Sequence, residues 1–208
     1  MNLQNQNMNS PQSNTDAESR YTNLIVPVLL AILLIAIGVA SRIGLAGAPN
    51  LKPVCALALF AGFYFRNLWA VVGVVFATLL VSDAYIGGYK LSLMVAVYAS
   101  TVFAGCLGML VNRWHGNQSS VRTLFGKFAV VSLVMSTAFF VFTNLVVWGT
   151  SSWYPTSLAG LGECYAAAIP FYRWTLISDF VFSQAIVAVY GFSLFLATLA
   201  KPVKVIAG

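Results

Sequence analysis

The chain has 208 residues, of which 60% are hydrophobic and only 8% are charged. A water-soluble domain carries about 25% charged residues, so this composition excludes an ordinary soluble fold and indicates an integral membrane protein in a lipid bilayer. The net charge of +6 comes from Lys and Arg residues scattered among the predicted loops. That distribution is typical of topology determinants and does not indicate a nucleic-acid surface.

The first twenty residues, Met1–Arg20, are rich in Asn, Gln and Ser and contain no aliphatic core. This composition predicts a disordered cytoplasmic tail. Because the tail is long and carries Asp16 and Glu18, we expect an uncleaved first helix to follow it rather than a secretory signal. A single transmembrane domain is then predicted over residues 21–201, with a short cytoplasmic tail at residues 202–208.

Continuous apolar runs between polar residues predict an all-α bundle of about six transmembrane helices. A transmembrane barrel would instead alternate apolar and polar residues. The second predicted helix is short for a full span, and Ser157–Ala168 is a candidate interfacial or re-entrant helix. The six predicted helices are Asn23–Ala40, Pro53–Phe65, Leu68–Ile86, Leu91–Val111, Phe125–Gly149 and Phe171–Ala200.

The basic residues predict the orientation of the bundle. With six spans, the side that holds both termini carries seven Lys and Arg residues, and the opposite side carries four: Arg42, Lys52, Lys90 and Arg173. Cytoplasmic loops carry the excess of Lys and Arg. We therefore expect a multi-pass protein of the cytoplasmic (inner) membrane with both termini in the cytoplasm.

The fourth helix carries a small residue at every fourth position. Close backbone approach through small side chains drives helix association in lipid. The seam is compatible with packing inside the bundle or with docking of another membrane subunit. Its members are Ser92, Ala96, Ser100, Ala104 and Gly108.

The costly polar residues fall mostly in the half of the bundle that faces away from the cytoplasm. Asn50 and Lys52 enter the second helix from that side, Asp83 lies near the outer end of the third helix, and Asn144 and Asp179 lie within the fifth and sixth. A carboxylate at this depth costs several kcal/mol unless it is paired or hydrated. These residues either tie helices together or line a pocket open to the outside.

The deepest carboxylate, Asp179, needs polar neighbours for the same reason. Its expected neighbours are Ser178, Ser183 one turn below, and a cation from Arg173 or Lys52. Aromatic residues are also frequent on the outer side, where they either form an interfacial belt or contribute to the walls of a pocket.

The cysteines give no firm metal site. Cys55, Cys106 and Cys164 show no CxxC spacing, and His115 is the only histidine, so the sequence disfavours a His and Cys zinc site. Cys55 or Cys164 could ligate a soft metal, although a lone buried cysteine is more often a small hydrophobe. The sequence does not decide whether these two residues form a disulfide.

Several motifs resemble a widespread, largely uncharacterised bacterial membrane family over roughly residues 24–200. They include the segment Asn50–Gly62, the pair Ser82-Asp83, the pair Thr143-Asn144 with Trp148, and the segment from Tyr154 to Asp179. That family is similar in architecture to the substrate-binding S components of energy-coupling-factor (ECF) vitamin transporters.

The resemblance implies an S-component-like fold with a ligand pocket on the outer side. It also implies a transmembrane coupling protein with two ATPases as partners. The ligand would be a vitamin, a corrinoid or a metal, and Cys55 or Cys164 could ligate the cobalt of a corrinoid. The implied ligand-binding residues are Asn50, Asp83, Tyr85, Asn144, Trp153, Glu163 and Asp179.

The leading hypothesis is therefore a substrate-capture subunit for uptake of a small molecule, without catalysis or a resident cofactor. The main alternative is a non-catalytic accessory or scaffold subunit of a larger membrane complex, with the helix-four seam as its interface. An intramembrane enzyme is disfavoured because no general base stands beside a nucleophile. A lack of any glycine-rich phosphate loop also excludes ATP hydrolysis by this chain.

Overall fold

The computed structural model describes residues 11–47, 51–116 and 120–200. In these ranges every regular element is an α-helix, as the sequence predicts, and there are six of them. Five are long and apolar enough to cross a membrane, whereas the second has only 12 residues. The helices are α1 (Pro11–Gly44), α2 (Val54–Phe65), α3 (Leu68–Ile86), α4 (Leu91–His115), α5 (Val121–Thr150) and α6 (Leu158–Leu199).

The short helix α2 forms the centre of the bundle. It contacts all five other helices, and ten of its 12 residues, from Val54 to Phe63, are buried. Because apolar residues cover its whole circumference, it has no polar face to turn outward. At 1.5 Å per residue α2 is roughly 18 Å long, which is well short of the roughly 30 Å hydrocarbon core.

Three glycines bring α2 and α4 into close backbone contact. A methyl group added to Gly62 would collide with the carbonyl oxygen of Gly105, and one added to Gly108 would collide with that of Leu59. The small residues Ala96, Ser100, Ala104 and Gly108 of the helix-four seam are also buried. Most of the seam is therefore enclosed within the bundle, whereas Ser92 at its upper end is partly exposed.

The bounds of α3 agree with the predicted ones residue for residue. Its first turn is capped by the side chain of Asn67, which accepts a hydrogen bond from the Trp69 backbone N–H at 2.8 Å. It ends at Gly87, whose φ of 102° lies in a region that glycine alone adopts readily. Both signals are local, which is why the sequence pattern locates this helix well.

The predicted break between the fifth loop and the last helix is wrong. The segment Ser157–Ala168 is not a separate interfacial helix, because α6 runs without interruption through Pro170. The helix begins at Ser157, whose Oγ accepts a hydrogen bond from the Gly160 N–H at 3.2 Å. The alanine-rich turns that follow favour helix, and Pro170 removes one backbone donor without ending the element.

Helix α1 begins earlier than predicted. It starts at Pro11, inside the segment for which a disordered tail is predicted, while residues 1–10 and the predicted tail at 202–208 lie outside the described residues. Proline is favoured in the first turn of a helix. Helix also propagates readily from a long apolar stretch into good helix formers such as Ala17, Glu18 and Arg20.

The outer surface of the bundle is apolar. Helix α1 exposes aliphatic side chains such as Leu24, Leu29 and Ile32, and the carboxyl-terminal half of α6 exposes Val189 and Phe192. Surface of this kind is stable against lipid rather than water. The structure therefore supports a bilayer environment, as the composition predicts.

Candidate functional site

One end of the bundle, called the upper end here, is where α1, α3 and α5 finish and where α2, α4 and α6 begin. An ion pair joins α1 to α3 near this end: the Arg42 guanidinium donates from Nη2 to Oδ1 of Asp83. The phenol of Tyr98 on α4 donates to Oδ2 of the same carboxylate at 3.0 Å. Charges at this depth are unfavourable unless paired. The cluster therefore neutralises both residues and ties three helices together.

Lys52 lies beside this ion pair, in the non-helical segment that precedes α2. Burial lowers the pKa of Lys52 from its usual 10.5, the charge of Arg42 lowers it further, and the charge of Asp83 acts in the opposite direction. The carbonyl oxygen of Lys52 accepts a hydrogen bond from Ser178 Oγ on α6 at 3.1 Å. Burial also raises the pKa of Tyr89, in the link between α3 and α4, and Asp83 raises it further.

A cavity of about 80 Å³, called the inner cavity below, lies between α1, α2, α3, α4, α5 and α6. Asp179 lines it, is only 2% exposed, and accepts a hydrogen bond from Ser136 Oγ at 2.6 Å. Within the described ranges, no basic side chain lies at ion-pair distance from Asp179. The remaining walls are apolar, and the polar lining residues are Arg42, Lys52, Cys55, Thr101, Thr175 and Asp179.

A second cavity of about 270 Å³, called the outer cavity, lies between α4, α5 and α6. It shares two lining residues, Phe139 and Thr175, with the inner cavity. Its walls are mostly apolar and aromatic, with Asn144 as a polar exception. The Asn144 side chain donates to the carbonyl oxygen of Phe140 at 2.8 Å, one turn back on α5.

The comparison with protein families shows which family the chain belongs to. A family described as a family of unknown function, DUF6580, matches residues 22–199. The chain belongs to DUF6580. No curated protein and no solved structure matches it.

The predicted ligand-binding residues of this DUF6580 protein fall into three groups. Asp179 and Asn144 line the two adjoining cavities, and Asp83 binds the arginine that lines the inner one. The other three described residues are exposed and line neither cavity: Tyr85 is 75% and Trp153 78% exposed, and Glu163 is also exposed. Asn50 lies outside the described residues.

The expected neighbours of Asp179 in this DUF6580 chain need correction. Its hydrogen bond comes from Ser136 on α5, not from Ser183, whose buried Oγ has no hydrogen-bond partner among the described residues. Arg173 is exposed and stacks over the Trp174 ring at 5.4 Å. Arg173 begins nearly two turns above Asp179, so its side chain reaches the aqueous interface more readily than the bundle interior.

Sequence reasoning also missed four contributors to the site: Arg42, Tyr98, Thr101 and Ser136. In the sequence, Arg42 enters only the count of basic residues that predicts the orientation in the membrane. The three hydroxyl residues lie within apolar helices, where nothing in the sequence marks them as polar contacts. One signal was present: a buried carboxylate such as Asp83 requires a cation at similar depth. The sequence does not single out Arg42 among the outer-side cations, because the predicted first helix ends at Ala40, whereas α1 continues to Gly44 and carries Arg42 in its last turn.

The cysteines of this DUF6580 protein are all free thiols. Cys55 lines the inner cavity, and the Cys164 thiol donates to the carbonyl oxygen of Asn144 at 3.5 Å. In the part of the chain that the structure describes, no three His, Cys, Asp or Glu side chains are grouped closely enough to hold a metal ion. Cys164 links α6 to α5 through its hydrogen bond, and Cys55 is one of the residues that line the inner cavity.

Proposed function

We propose that this protein is a membrane-embedded substrate-binding subunit. In this proposal it captures a small molecule from the extracytoplasmic side for uptake, in the manner of an ECF transporter S component, and has no catalytic activity of its own. The upper end of the bundle would then face outward in the bacterial inner membrane, with both termini in the cytoplasm.

The observation that carries this proposal is the inner cavity beneath the upper end of the bundle. Its walls combine Lys52 and Asp179 with apolar side chains, and a few polar groups set in apolar walls are typical of ligand sites. A structural role alone would favour direct pairing of these charges. Instead, in the described part of the chain, the one ion pair is that between Arg42 and Asp83.

The short helix α2 supports the same conclusion. Because α2 has only 12 residues, its amino end lies below the end of α3, and Pro53, the non-helical residue directly before it, is buried in the bundle. Irregular backbone at membrane depth is tolerated where it is buried in protein or lines a cavity. Interrupted helices of this kind form the binding sites of many transporters.

An S component works with partners, so the proposal extends to a transmembrane coupling protein and two ATPases. The broad apolar face of α1, on which Leu24 and Leu29 are exposed, is not covered by any other helix that the structure describes. The helix-four seam, on which a scaffold role would depend, is mostly enclosed inside the bundle. The burial of this seam favours substrate capture over the scaffold alternative.

The experiment that tests the proposal is native mass spectrometry of the protein purified in mild detergent, followed by a binding screen. We expect a co-purifying small molecule, and we expect loss of that molecule in the Asp179→Leu variant. The matched control is Arg173→Gln, which removes an exposed charge near the same face. If the wild-type protein carries nothing and binds none of a panel of vitamins, amino acids and corrinoids, substrate capture is wrong.

A further inference from the structure

Four charged side chains lie in or beside the inner cavity. Two of them form an ion pair, and the other two do not pair with each other. Arg42 and Asp83 neutralise one another. Lys52 and Asp179 remain, and both line the cavity. Because one is a cation and the other a carboxylate, a ligand with only one sign of charge would leave an unfavourable contact. A ligand with both signs would match both walls.

The amino end of α2 adds positive potential on the Lys52 side. The first two residues of α2, Val54 and Cys55, line the inner cavity, and no side chain caps this end of the helix. The first N–H groups of a helix lack intrahelical acceptors, and the helix dipole favours an anion there. An acid group is therefore expected beside Lys52, with its cationic partner turned toward Asp179.

The volumes of the two cavities limit the size of such a ligand. The inner cavity, at about 80 Å³, exceeds the roughly 10–15 Å³ needed by one water and admits a compact polar head group. The adjoining outer cavity of about 270 Å³ is lined by Leu93, Phe139, Phe140 and Tyr172. Those walls suit an apolar or aromatic body rather than a second polar group.

We propose that the ligand of this protein is a small amphiphilic zwitterion of the α-amino-acid type. Its acid group lies toward Lys52 and the amino end of α2, its ammonium group binds Asp179, and its apolar side chain occupies the outer cavity. This inference rests on the proposed function, because it names the substrate class of the same site.

The first test compares matched ligands on the wild-type protein in lipid nanodiscs. Isothermal titration is performed with the standard free amino acids and, for the tightest binder, with its N-acetyl and carboxamide derivatives. We expect an amino acid with an apolar side chain to bind, and each blocked derivative to bind about tenfold more weakly or worse. Since no residue is changed, this test does not depend on the folding of a variant.

The second test shows which charged group of the ligand contacts Asp179 and which contacts Lys52. Asp179→Asn should weaken binding of the free amino acid but not of its N-acetyl derivative, and Lys52→Gln should weaken binding of the acid but not of the carboxamide. Arg173→Gln is the control and should bind all three like the wild type. Size-exclusion profiles and helical circular dichroism establish that each variant is folded.

The outcomes separate this inference from the proposed function. A protein that binds a vitamin or another molecule, but none of the free amino acids, remains a capture subunit with a different substrate class, and the zwitterion proposal is then wrong. Equal binding of free and blocked forms also overturns it. A protein that binds nothing overturns both proposals.

Discussion

Among the described residues, the one ion pair is that between Arg42 and Asp83, near the upper end of the bundle. Both side chains are largely buried, at 11% and 5% exposed. Loss of one partner from such a pair leaves an uncompensated buried charge, which typically costs about 3–5 kcal/mol. The pair therefore contributes to holding α1 against α3.

We predict that Arg42→Gln and Asp83→Asn each lower the free energy of unfolding by about 3 kcal/mol. The double variant should lose clearly less than the sum of the single losses, because it leaves no unpaired charge. Tyr98→Phe, which removes only one neutral donor from Asp83, should lose about 1 kcal/mol. Reversible unfolding in detergent, followed by circular dichroism, measures all four values. Strict additivity of the two single losses would contradict the pairing.

A second prediction concerns the protonation of Lys52. Amine acylation of Lys52, followed by mass spectrometry against pH, should reach half its limiting rate below pH 10.5, because burial and Arg42 lower its pKa. Arg42→Gln should move that midpoint upward, since it removes a repelling charge. Asp83→Asn should move it downward, since it removes an attracting one. Shifts in the opposite directions would show that Lys52 does not lie beside the pair.

The same pKa shift has a definite effect on stability. The folded state binds the proton of Lys52 more weakly than the unfolded chain does, so between the lowered pKa and 10.5 the unfolded chain holds more protons. Stability from this group therefore rises as the pH increases through that window, and is independent of pH below it. The Lys52→Gln variant should lack this alkaline increase.

At the scale of the elements, the contact between α2 and α4 depends on glycine. A Cβ at Gly62 or Gly108 would meet backbone atoms of the facing helix, which cannot move as a side chain can. We predict that Gly62→Ala and Gly108→Ala each cost about 1–3 kcal/mol or more by overpacking. Gly73→Ala on α3 is the matched control, because nothing lies within 4 Å of its added Cβ.

The control variant, Gly73→Ala, should be more stable than the wild type. Alanine in place of an unhindered helical glycine stabilises by about 0.4–1 kcal/mol, so Gly73→Ala should unfold at a slightly higher temperature than the wild type. If all three variants behave alike in thermal unfolding, close approach of α2 and α4 is not what stabilises the centre of the bundle.

The elements show which features the sequence could and could not predict. The ends of α3 are predictable because Asn67 and Gly87 act locally. Pro170 predicts a break, since proline usually ends a helix, but the alanine-rich turns before it continue into the same helix. The partner of Asp83 could not be predicted, because Arg42 is 41 residues away in sequence and only the packing of α1 on α3 brings them together.

At the scale of the whole molecule, consecutive helices run in opposite directions even though α2 is short. A link of two residues, Arg66 and Asn67, places the carboxyl end of α2 beside the start of α3. Since α3 has 19 residues, the amino end of α2 lies roughly 10 Å below the end of α3. The described residues directly before α2, 51–53, are non-helical. The path of the chain therefore still alternates between the two ends of the bundle, and α1 begins and α6 ends at the end opposite the upper one.

The orientation of the bundle can be tested directly in intact cells. The excess of Lys and Arg predicts that Ser152, in the link between α5 and α6, faces the outside, and that Arg122, at the start of α5, faces the cytoplasm. A membrane-impermeant maleimide should therefore label Ser152→Cys in intact cells, but label Arg122→Cys only after permeabilisation. The wild-type protein reports any labelling of the native cysteines, of which Cys55 and Cys164 are buried. The reverse pattern would turn Lys52 and the upper end toward the cytoplasm, and capture from outside would then be wrong, whatever the cavity binds.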